Sequence, residues 1–105
     1  MDMMFSDAVL SKILDQSVVY QCACPAQVCR MLFQQRELFA YQRDCLDLSE
    51  VDRAVHLRIA QALRASHQMM EDCLTEILRL EGWDQDSYEM PEALKARLRQ
   101  SMDCA

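Results

Sequence analysis

Residues 49–82 read SEVDRAVHLRIAQALRASHQMMEDCLTEILRLEG, with no Pro or Gly before the final position. Ser49 is a helix N-cap residue, and Glu50 and Asp52 follow where carboxylates meet the positive end of a helix dipole. Gly82 supplies the stop. The stretch between them predicts one helix over 50–81. At roughly 30 residues it spans about 45 Å, longer than its neighbours, so part of it is expected to pack on something else. Its apolar stripe is read as Val55, Ile59, Leu63, Ser66, Met70, Cys73, Ile77 and Leu80, flanked by Leu74 and Leu78. The outer face then carries Arg53, Arg58, Gln61, Arg64, Gln68, Asp72, Glu76 and Arg79.

Upstream, Pro25 suits the first residue of a helix, where its missing N–H costs nothing. That helix runs to about Leu46, with Val28, Leu32, Phe39 and Leu46 at the centre of a broad apolar face. Gln35 and Gln42 lie within that face and call for interhelical amide hydrogen bonds or rim positions. Arg30, Arg36 and Arg43 alternate with Glu37 and Asp44, the pattern of a solvated face. A first helix covers about Ser6 to Tyr20, with Phe5, Val9, Ile13 and Tyr20 on one stripe and Leu10 at its edge. Downstream, an acidic aromatic linker over 83–90 leads to Pro91 and a short helix with Leu94, Leu98 and Met102 facing inward.

The connections are short, so consecutive helices should be antiparallel neighbours. The expected fold is an all-α, antiparallel up-down helical bundle forming a single domain over residues 1–105. It has three main helices (about 6–20, 25–46 and 50–81) and a short C-terminal helix (about 91–102).

Composition removes several functions. The single Gly among 105 residues cannot build a phosphate-binding loop, a dinucleotide fingerprint or a nucleophile elbow. Seventeen Asp and Glu against eleven Lys and Arg give a net charge of −6. That balance disfavours nucleic acid and anionic membrane surfaces as partners. No apolar run approaches the roughly 18 residues of a membrane span. The acidic N-terminus lacks the basic start of a signal peptide. A cytoplasmic location is therefore expected, with the six Cys as thiols or ligands rather than a disulfide framework.

The candidate chemistry lies in Cys22-x-Cys24-x4-Cys29, gathered around the start of the second helix. Helix N-termini lower thiol pKa values. In an antiparallel hairpin of the second and third helices, facing residues have numbers summing to about 97–100. Cys73 then stands opposite the Pro25 turn as a fourth ligand, giving Cys22, Cys24, Cys29 and Cys73 as a zinc or iron–sulfur set. The spacing differs from the common C-x2-C pairs. Packing thiols and a redox pair at Cys22 and Cys24 stay open beside it, and Cys104 reads as an exposed thiol near the C-terminus.

His56 and His67 are about 16 Å apart along one helix, too far to share a metal. Each reads as a hydrogen-bonded boundary residue, with Glu71 placed to orient His67. The hairpin brings Cys45 near His56, but a helix C-terminus raises a thiol pKa, so catalysis is not expected. The leading functional expectation is a non-enzymatic interaction or regulatory module acting as a homodimer. It rests on the overlong third helix, the broad apolar face of the second and the lack of an assembled catalytic set. A thiolate metal-binding or redox protein is the alternative, and a small-molecule ligand is left unspecified.

Overall fold

The computed structural model describes residues 1–45 and 47–103, with side chains described as far as residue 100. Among the described residues there are four helices: α1 (Asp7–Val19), α2 (Ala23–Asp44), α3 (Glu50–Glu81) and α4 (Glu92–Asp103). There is no strand among the described residues. The fold is an all-α helical bundle. Leu46, the Met102 side chain and Cys104 lie outside the described residues.

The ends of the helices follow local chemistry. Ser6 Oγ accepts from Val9 N at 3.2 Å and Ser49 Oγ accepts from Asp52 N at 3.1 Å, each satisfying a first-turn donor. Gly82 adopts φ +81°, and Trp83 N–H then donates back to Leu78 O at 3.0 Å, closing α3. Helix α2 begins earlier than expected. Cys22 is its N-cap and Pro25 falls at the third helical position. Pro25 is tolerated there because the first-turn N–H groups have no intrahelical acceptor. Gln21, at φ +56°, turns the chain between α1 and α2.

Contacts across α2 and α3 run in opposite order: Cys22 meets Glu81, Gln35 meets Ser66, Arg36 meets His67. These two helices are therefore antiparallel. Their register is displaced by about one helical turn from the expected pairing. Helix α1 packs against α2, and Leu10, Ile13, Cys29, Leu32, Leu74, Leu78, Trp83, Met90 and Leu94 form the core with Phe5. Leu10 is central rather than peripheral, being fully buried.

The 83–90 segment is fastened rather than loose. Gln16 donates to Tyr88 O and accepts from Met90 N, both at 2.8 Å. Phe5 and Tyr88 stack edge to face at 5.8 Å. Helix α4 docks through buried Leu94, and Lys95 and Arg99 lie over the Tyr20 ring.

The buried side of α3 is the main departure from the sequence reading. It consists of Leu63, His67, Glu71, Leu74 and Leu78. Val55, Cys73 and Leu80 are exposed, and Ile59, Ser66, Met70 and Ile77 are half-buried. The helix is thus turned by roughly a quarter of a revolution, at about 100° per residue, from its apolar stripe. Two polar residues hold the centre of the buried side, and hydrophobic periodicity cannot register them.

Gly82→Ala tests the α3 stop. A Cβ there meets only Pro91 Cγ at 3.9 Å, an ordinary contact. The loss should therefore reflect the left-handed backbone alone, about 1–2 kcal/mol. The urea midpoint should fall accordingly, with the transition slope unchanged.

Candidate functional site

The cysteines are dispersed by the helices that carry them. Cys29 is fully buried on the core side of α2, and Cys22 is buried at the α1–α2 corner. Cys24 and Cys73 are exposed, and Cys45 is half-buried. The one-turn register shift sets Cys73 level with the Cys29–Arg30 turn rather than with Pro25, and the rotation of α3 points it to solvent. Among the described residues, no three His, Cys, Asp or Glu side chains converge as a metal site. Cys22, Cys24, Cys29 and Cys73 are accordingly not brought together.

The helix N-terminus does not acidify Cys22. Its thiol donates to Glu81 Oε2 at 3.7 Å, and Trp83 Nε1–H donates to Glu81 Oε1 at 2.9 Å. Burial and then the Glu81 charge push the Cys22 thiol up to about 11. Burial pushes Cys29 up to about 11 as well. Both are protonated packing groups at neutral pH, and Glu81 ties the start of α2 to the end of α3.

The centre of the molecule holds a polar node around His67 and Glu71, a pair expected at the boundary of α3 rather than in its buried centre. Glu71 is 0% exposed and His67 is 1% exposed. Glu71 Oε2 accepts from Met4 N at 2.7 Å and Phe5 N at 3.0 Å. Arg36 reaches in from α2, its side chain only 10% exposed. Its Nη2 donates to Phe5 O at 2.6 Å and lies 3.4 Å from Glu71 Oε2. Its Nη1 donates to Asp7 Oδ1 at 2.6 Å, and its Nε donates to His67 Nε2 at 3.1 Å.

Arg36 is always a donor, so His67 Nε2 must be an acceptor and the ring is neutral, with its proton on Nδ1. That nitrogen faces Glu71 Oε1 at 3.4 Å, without the alignment of a hydrogen bond, and Oε1 has no partner. Burial first, and the Arg36 charge after it, hold the imidazole below its ordinary range against the pull of Glu71. Arg36 thus belongs to the interior and not to the solvated face expected for it. The only trace in sequence was the His67–Glu71 spacing, because Arg36 pairs with residues far away in the chain.

At the far end of the α2–α3 pair is a cleft of about 440 Å³, bordered by Phe39, Gln42, Asp47, His56, Arg53 and Arg64. Asp47 Oδ1 lies 2.6 Å from His56 Nδ1, which fixes the ring. The Arg64 guanidinium sits 5.4 Å from the Phe39 ring centre. No hydrogen bond joins the Cys45 thiol to His56 among the described residues. The amides expected to bridge helices do so in part: Gln35 Nε2 donates to Ser66 Oγ at 3.2 Å, and the Oε1 atoms of Gln35 and Gln42 are both buried without a partner.

The remaining feature is a surface. On α3, Val51, Val55, Ala62, Met69, Cys73 and Leu80 are all exposed. They fall within about 40° of one another around the helix, at roughly 100° per residue. This row lies opposite Glu71, hence opposite the side that holds the N-terminal segment. On α2, exposed Met31 and Leu38 lie roughly 150° around from Arg36, which faces α1. Half-buried Val28, Met70 and Ile77 line the seam between the two helices. One side of the α2–α3 pair is covered by α1, and the other presents apolar side chains to solvent.

Among the described residues, no helix is long and apolar enough to cross a membrane. Compared with known proteins, the chain matches no family model, no curated protein and no solved structure.

Two measurements check this geometry. Iodoacetamide at neutral pH should alkylate Cys24 and Cys73 well before Cys22 and Cys29, followed by mass spectrometry. Glu81→Gln should speed the reaction of Cys22 by removing the charge that keeps its proton on. For His67, a folded-state pKa below the unfolded value of 6.5 means that the unfolded chain binds the proton more readily. Its contribution to stability is complete above that value and is lost as pH falls below it. His67→Gln keeps an acceptor for Arg36 without titrating. Between about pH 7 and about pH 5, its urea midpoint should decline less than that of the parent, and equal declines would refute the buried neutral imidazole.

Proposed function

We propose that this chain is a non-enzymatic interaction module that acts as a homodimer through the outer side of α2 and α3. The observation that carries this reading is the exposed apolar row on α3, with Met69 at 70% and Val51 at 72% exposure. Single exposed apolar residues are common on soluble proteins, but an aligned set along a 32-residue helix is not. Water released from such a face drives association, at about 25 cal/mol per Å² buried. The polar groups that could orient chemistry, His67 with Glu71 and His56 with Asp47, are engaged in holding segments together. The function is then the joining of surfaces, and the polar node sets the relative placement of the helices that form them.

The test is sedimentation velocity of the unmodified chain and of Met69→Arg. The parent should sediment as a dimer at micromolar concentration. A guanidinium in the middle of the row should yield a monomer with an unchanged helical circular dichroism signal. A parent chain that stays monomeric throughout the micromolar range would refute the proposal.

A further inference from the structure

Resting on the reading of the outer α2–α3 side as a self-association surface, we infer that two copies join by an antiparallel crossing of α3 with α3. The two-fold axis passes close to residue 67, and Arg58 of each copy stands against Glu76 of the other. Two charged side chains border the apolar row. Arg58 and Glu76 are exposed and share one angular position on α3, beside the row. Arg58 forms no ion pair among the described residues. Glu76 is held in place by Arg79, whose Nε donates to Glu76 Oε2 at 3.0 Å.

A parallel crossing sets like against like. Arg58 meets Arg58 and Glu76 meets Glu76, and juxtaposed like charges in an interface oppose assembly. Two of the antiparallel registers that lay the apolar row on itself also overlap nearly all of α3. In the first, Ala62 faces Met69 and Val51 faces Leu80, but Arg58 faces Cys73 and Glu76 faces Val55. Arg58 then stands against a side chain that cannot answer its charge, and Glu76 keeps only its own Arg79.

In the second register, about one turn away, Arg58 faces Glu76, Ala62 faces Cys73, Ala65 faces Met69 and Val55 faces Leu80. Charge meets charge, and apolar meets apolar. Small Ala62 and Ala65 accept the larger Cys73 and Met69, so the two helices approach closely. Met31 and Leu38 of α2 flank the crossing on the same side of the molecule and widen the buried strip. The second register pairs each residue of the row except Val51, which stands level with the segment after α3, and it sets Arg58 directly against Glu76, whereas the first offsets these two charges by about one turn.

The experiment combines a charge exchange with site-directed cross-linking. Arg58→Glu should weaken dimerisation by about tenfold or more, and adding Glu76→Arg should recover most of that loss in sedimentation equilibrium. Independently, Ala62→Cys should form a disulfide with native Cys73 of the second copy under mild oxidation, identified as a cross-linked peptide pair. Facing positions on closely packed helices are within reach of such a bond. Arg58→Cys should not cross-link to Cys73. A dimer in which Arg58→Cys links to Cys73 and Ala62→Cys does not would overturn the register and leave self-association standing. Failure of the double charge variant to recover affinity would count against the Arg58–Glu76 pairing in the same way. An unmodified chain that is monomeric at all concentrations overturns both.

Discussion

Glu71 has no access to solvent, and its carboxylate draws three parts of the chain to one point. Backbone donors of Met4 and Phe5 come from the N-terminal segment, the Arg36 guanidinium from α2, and the neighbouring His67 ring from α3. A buried carboxylate is tolerated only when its lone pairs and charge are answered nearby. One oxygen is answered three times over, and the other has no hydrogen-bond partner. Once this node exists, the orientation of α3 about its own axis is set, because residues 67 and 71 must point inward.

That rotation has a consequence on the far side of the helix. Turning polar residues to the centre turns apolar ones out. Val55, Cys73 and Leu80, assigned to the core by periodicity, instead join Val51, Ala62 and Met69 in the exposed row. The apolar surface offered for association is thus the counterpart of the buried polar node. The two features are one event seen from opposite sides of α3.

The cysteines follow the same logic. Their clustering in sequence around Pro25 is real, but a helix spreads neighbouring residues over different faces. Cys29 goes to the core and Cys24 to solvent, while Cys22 becomes an N-cap held by Glu81. The expectation of an acidified thiol at a helix start was overridden by burial and by an adjacent carboxylate. Sequence spacing alone carries neither influence. The register shift of α2 against α3 removed Cys73 from the group for a related reason: Cys22–Glu81 and Arg36–His67 contacts, not hairpin length, fix which residues stand level.

What the sequence by itself determined is the existence and extent of the helices. Local signals act over a few residues: Ser6 and Ser49 as caps, Gly82 as stop, the proline positions and the 3.6-residue period. They recovered four helices with boundaries displaced by at most a few residues. What only the tertiary structure decided is the direction each helix faces. Arg36, His67 and Glu71 become core residues through contacts between distant parts of the chain, and polar residues leave no mark in a hydrophobic pattern. The physical reason is that helix formation is a local balance of backbone hydrogen bonds and capping. The rotation of a helix about its axis is settled by which buried polar groups find one another.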